Sequence, residues 1–79
     1  MKKLLEFITK SIVDNPKDVK ISETKNQSGI LLLNLEVNQE DMGKVIGREG
    51  NIIKAIRNIL RIKAIKENLQ FSLELTETP

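Results

Sequence analysis

The chain is expected to fold as an α+β domain, a three-stranded sheet covered on one face by three helices in the order α-β-β-α-α-β. Two patterns predict it: apolar residues recur at helical spacing in three segments and alternate in three others. A third observation is that no linker, repeat or low-complexity stretch separates these segments. Three strands with one apolar face need a cover, and three amphipathic helices provide it. Seventy-nine residues suffice for one modest core, so residues 1–79 are expected to form a single domain.

Leu4, Leu5, Ile8 and Ile12 recur among Lys3, Glu6, Thr9 and Lys10, which gives a first amphipathic helix. Phe7 lies in the same apolar pattern and is expected in the core, as is Phe71. Asp14-Asn15-Pro16 ends the helix, because proline disfavours helical geometry at Asn15. Val19 to Lys25 alternates, Asn26-Gln27-Ser28-Gly29 supplies turn residues, and Ile30 to Val37 alternates again, so a hairpin is predicted. Leu31, Leu33, Leu35 and Val37 share one face of its second strand, with Asn34 and Glu36 on the other. Asn38 can cap the next helix, with Asp41 in its first turn, where negative charge is favoured. Met42, Val45 and Ile46 give that helix a short apolar face. A longer helix is predicted from about Asn51 to Lys66, with Ile52, Ile53, Ile56, Ile59 and Leu60 as its buried stripe. On its opposite side Lys54, Arg57 and Arg61 fall within about 60° of one another. Phe71, Leu73 and Leu75 then alternate with Ser72, Glu74 and Thr76 in a final half-buried strand.

Composition excludes several kinds of chemistry. The chain has no cysteine and no histidine, which removes disulfides, thiolate metal sites and the commonest general base. Its carboxylates sit mostly singly on polar faces, so neither catalysis nor a cofactor or metal is expected. Glu6, Thr9 and Lys10 interrupt the N-terminal segment, which therefore lacks a signal peptide's continuous apolar stretch. No run approaches the ~20 apolar residues of a membrane span. A cytoplasmic chain without membrane attachment is expected.

The net charge of +2 hides a division along the sequence. From Lys44 to Lys66 seven basic residues stand against Glu49 alone, a local charge of +6 that leaves −4 on the remainder. Positive charge so concentrated suggests that a polyanion meets this part of the chain. At its start stands Val45-Ile46-Gly47-Arg48-Glu49-Gly50-Asn51-Ile52-Ile53. Two glycines around two charged residues allow a turn tight enough for phosphates to approach its amides, since glycine adopts positive φ at little cost.

The element order, with this GxxG between the second and third helices, matches the type II KH fold of bacterial RNA-binding proteins. More narrowly, the chain resembles the KhpA family of small single-domain KH proteins along nearly its whole length. The residues that carry the resemblance are Leu4-Leu5-Glu6-Phe7-Ile8, Val13-Asp14-Asn15-Pro16, and above all Glu40 to Gly50 continuing into Lys54-Ala55-Ile56-Arg57. It implies single-stranded RNA in a groove of about four nucleotides, its sugar-phosphate backbone clamped by the GxxG loop. Gly47 and Gly50 would permit close approach, Arg48 would meet phosphate, and Lys44 would reinforce it. Ile46 and Ile53 would wall the groove, with the strand around Phe71 to Leu75 on its far side. Lys54 and Arg57 would add charge along the helix. The resemblance also implies an RNA chaperone partnered by a larger KH protein of the KhpB (Jag-like) type, with effects on cell-wall growth and cell shape. Glu49 departs from the basic or polar character that best serves phosphate, so weak and strongly salt-dependent RNA binding is expected.

Other readings stand beside these. The glycine pair could be a turn used only for folding, and Lys54, Arg57 and Arg61 a solvated helix face. Ile62 and Ile65 lie outside the buried stripe. With Ala55 they would form a surface for a homodimer or a KhpB-like partner, in which case the fold serves chiefly for interaction. The two helices around Gly47 to Gly50 also resemble a DNA helix-turn-helix, although three strands and few base-reading side chains count against it.

Overall fold

A computed structural model describes residues 1–78. The elements are α1 (Lys2–Ile12), β1 (Lys20–Lys25), β2 (Leu31–Val37), α2 (Met42–Ile46), α3 (Asn51–Lys66) and β3 (Phe71–Glu77). The order is the predicted one, with short 3-10 turns at Pro16–Asp18, Gln39–Asp41 and Arg48–Gly50. Strand β2 is central, antiparallel to β1 and parallel to β3. The parallel pairing requires a crossover between β2 and β3, and α2 and α3 supply it.

Alternation decides which face is dry. Leu31, Leu33, Leu35 and Val37 of β2 are buried with Leu73 of β3, and the helices cover them with Leu5, Val45, Ile53, Ile56, Leu60 and Ala64. The other face carries Ser22, Thr24, Leu32, Ser72 and Glu74, all exposed. Thr9 is the polar exception within α1, and its hydroxyl donates to Leu5 O at 2.8 Å, so no buried donor is left unpaired there.

Three predicted core positions are corrected. Phe7 is 72% exposed, because α1 turns Leu5 and Thr9 inward and leaves Phe7 on the flank beyond Leu4 and Ile8. On α3 the buried stripe is Ile53, Ile56, Leu60 and Ala64, while Ile52 (37%) and Ile59 (43%) stand at the surface. Ala64 completes a run at three- and four-residue spacing with Ile53, Ile56 and Leu60; Ile52 and Ile59 lie about 100° to its side. Phe71 is half-buried and packs on the core, as expected.

The connections are local devices. Asn26 Oδ1 accepts the amides of Ser28 and Ile30 at 2.9 and 3.0 Å, which forms the hairpin turn. Helix α3 ends with Asn68 at φ 57° and Leu69 N donating back to Ala64 O at 2.8 Å, a Schellman-type stop that redirects the chain into β3.

Candidate functional site

The glycine loop is built by two positions with different requirements. Gly47 leaves α2 at φ 75°, ψ 175°. A Cβ there would lie 2.5 Å from Ile52 Cγ1 and 2.9 Å from Ile52 N, so both sterics and backbone demand glycine. Gly50 enters α3 at φ 74°, ψ 17°, with only Lys54 Cε at 4.0 Å from a Cβ; its demand is conformational alone. Between them Glu49 also adopts a left-handed geometry, φ 56°, ψ 24°, which costs a residue with a side chain about 1–2 kcal/mol.

The amide of Gly47 donates to Gly43 O at 2.9 Å and that of Gly50 to Gly47 O at 3.1 Å. Asn51 N donates to Arg48 O. Arg48 and Glu49 are the first two positions of the 3-10 turn, so their amides have no partner within it, and both side chains are exposed. The first turn of α3 opens on the same loop without a side-chain cap. The opening amides of that turn and the positive end of a 16-residue helix therefore meet one surface.

Cations surround the loop unequally. On α3 Lys54 and Arg61 are exposed, while Arg57 is half-buried and donates from Nη2 to Leu73 O at 3.1 Å. That contact fixes α3 against the free edge of β3. Since Gln70 O accepts from Leu31 N and Thr78 N donates to Val37 O, the even-numbered residues of β3 face β2. The backbone groups of Phe71, Leu73 and Leu75 consequently point outward along the edge beside Arg57 and Arg61. The result is a groove with the glycine loop at one end, α3 on one side and strand edge on the other. Ile46, at the end of α2, is 36% exposed at the loop, whereas Ile53 is only 8% exposed and belongs chiefly to the core.

Lys44 is placed differently from expectation. Its ammonium pairs with Asp14 at the end of α1 rather than projecting alone into the groove. The hydrogen bond to Asp14, with the charges of Asp14 and then Asp41, outweighs the loss of hydration and raises its pKa above the ordinary lysine value.

Asp41 has a role that sequence reasoning missed. It is 1% exposed and accepts from Asp14 N (3.1 Å), Asn15 N (3.0 Å) and Asn15 Nδ2 (3.1 Å). Burial pushes its carboxyl up, but those three donors and Lys44 outweigh it and hold the pKa below the ordinary aspartate value. Asn38, read as the cap of α2, instead accepts from Glu40 N at 2.8 Å and caps the 3-10 turn that leads into that helix. The amides of Asp14 and Asn15 lie past the end of α1, outside any helix; their need for an acceptor was the available signal for a buried carboxylate such as Asp41.

Ala55, Ile62 and Ile65 do not form one surface. Ala55 and Ile62 align with Ile52 and Ile59 in an exposed stripe at three- and four-residue spacing. Ile65 lies about 60–80° from Ala55 and Ile62 around the helix, beside Arg61 and Phe71.

Among the described residues no group of acidic residues is arranged to hold a metal ion, and no helix is long and apolar enough to cross a membrane. Residues 2–75 match the family described as KhpA/KhpB, KH domain. Over 75 residues the chain is 49% identical to the RNA-binding protein KhpA of Clostridium perfringens, covering 95% of this chain and 99% of that one. It is 43% identical over 77 residues to the RNA-binding protein KhpA of Chlamydia pneumoniae, 98% and 97% of the two chains. With the KhpA of Borreliella burgdorferi it shares 42% identity over 74 residues, 94% and 89% of the two chains.

Proposed function

The chain belongs to the KhpA/KhpB family of KH domains, and from that premise we propose that it is a single-stranded RNA-binding protein and not an enzyme, acting as one KH domain in the cytoplasm. The observation that carries the reading is the loop: the amides of Arg48 and Glu49 open a 3-10 turn set between glycines at the N-terminus of a basic helix. A phosphodiester fits there as an acceptor for those amides, with Arg48 adding charge-assisted hydrogen bonds. Gly47 and Gly50 set the turn, Lys54 and Arg57 line the strand's path along α3, and Ile46 with the exposed fringe of Ile53 offers apolar contact. Lys44 joins only by exchanging Asp14 for a phosphate. That exchange costs little, because the pair is exposed on both sides. The free edge of β3 presents backbone donors and acceptors to the bases.

The test is titration of the ¹⁵N-labelled protein with a short single-stranded RNA. Shifts concentrated at Gly47 to Lys54 and along Phe71 to Leu75 are expected; shifts confined to α1 or to the open sheet face would reject the site. Competition by duplex DNA distinguishes a helix-turn-helix, and failure of the isolated chain to shift RNA in a gel would favour the interaction reading.

A specific observation supports that second reading as a companion rather than a rival. The exposed stripe Ile52, Ala55, Ile59 and Ile62 repeats at the spacing by which one helix packs along another. Its occupant would be a second copy or a larger KhpB-like KH protein. A chaperone role on RNA, with consequences for cell-wall growth and cell shape, would follow from such an assembly, in which two clamps act on one strand.

A further inference from the structure

Below Arg57, where α3 runs out and β3 begins, the groove widens into a cleft of about 470 Å³ lined by Arg61, Ile65, Leu69, Gln70, Phe71 and Ser72. We infer that this cleft accepts a nucleobase of the bound strand, one step beyond the run clamped by the glycine loop. The inference rests on the reading of the loop as an RNA clamp.

Three features of the cleft match a base. Its walls are apolar: Ile65 is 73% exposed there, which solvent alone does not favour, and Phe71 is half-buried with Leu69 beside it. Its rim carries backbone polarity, because Phe71 turns its N–H and C=O to the free edge of β3, where a base can use both. Its one charged lining residue, among the described residues, is Arg61, a planar cation able to stack on a base or meet the adjoining phosphate. Only one of its donors is engaged, Nη1 to Asn58 Oδ1 at 3.3 Å.

Position agrees with chemistry. Helix α3 rises about 16 Å from Gly50 to Arg61, and Arg57, which ties the helix to Leu73, lies between. A strand that follows the cationic flank from the loop passes Lys54 and Arg57 and arrives at Arg61. That flank is separate from the Ile52–Ile62 stripe, so a partner seated on the stripe leaves the cleft open.

The experiment compares labelled RNA of four and six nucleotides on the wild type, on Ile65→Asp and on the Arg48→Asp/Glu49→Asp pair. The wild type gains about tenfold in affinity from the longer strand, the order that one stacked base supplies. Ile65→Asp loses that gain while its tetranucleotide affinity stays within twofold of wild type. A gain that persists in Ile65→Asp overturns the inference, and so does a change of mass by light scattering with the gain intact, which would mean that a second copy occupies the cleft. If instead the loop pair binds the tetranucleotide like wild type, the clamp itself is refuted, a separate outcome. Should Ile65→Asp unfold, Ile65→Trp gives the chain its only tryptophan: fluorescence quenched by the longer RNA and not by the shorter is expected, and no response to either overturns the inference.

Discussion

Gly47 and Glu49 both hold positive φ, for opposite reasons. At Gly47 the geometry is enforced by Ile52, whose side chain and amide occupy the space a Cβ would need. Gly47→Ala should therefore cost about 1–3 kcal/mol, read from the urea midpoint at unchanged m. At Glu49 no such crowding explains the choice, and the left-handed backbone is simply strained. Glu49→Asn, which tolerates that region, should stabilise by about 0.5–1 kcal/mol. The same residue weakens the clamp electrostatically. Glu49→Lys should raise RNA affinity and steepen the slope of log K against log salt by about 0.7 or more, measured by anisotropy across salt concentrations. Equal slopes would remove Glu49 from the phosphate's surroundings.

At the scale of elements, α2 has only five residues and cannot hold its own position. Asp41 does this from the preceding turn by accepting from the amides of Asp14 and Asn15, just past the end of α1. Since its folded pKa lies below the unfolded value, its contribution to stability is complete above the ordinary aspartate range and is lost as pH falls through the depressed value. Melting temperature should drop on the acid side in the wild type, and Asp41→Asn should lower it at neutral pH and flatten that acid limb. Helix α3 divides into a buried stripe, a cationic flank toward β3 and an apolar outer stripe. If the outer stripe is an interface, Ile62→Lys should leave a folded chain of lower mass by light scattering; an unchanged mass would exclude Ile62. The cationic flank was legible from periodicity, because 100° steps place Lys54, Arg57 and Arg61 together. The split of the isoleucines was not, because four β-branched residues at positions 52, 53, 56 and 59 satisfy two stripes equally. Packing against β2 and α1 chooses between them.

For the whole molecule, the element order and the glycine loop could be read from the chain, since turn chemistry and alternation are local. The strand order could not: that β2 is central and β3 keeps a free edge depends on pairing between segments about 40 residues apart in register. This edge completes the groove, and it brings Arg57 and Arg61 beside backbone groups that no pattern of side chains announces. Arg48 at the loop and Lys54, Arg57 and Arg61 on α3 thereby lie along one path, while the open sheet face carries none of the basic residues from Lys44 to Lys66. The central claim is that the loop from Gly47 to Gly50 holds an RNA backbone. It is tested most directly by the affinity of the Arg48→Asp/Glu49→Asp pair for single-stranded RNA at low salt, beside a circular dichroism check of its fold. A folded variant with affinity reduced at least tenfold is the predicted result; a folded variant that binds as the wild type does would contradict it.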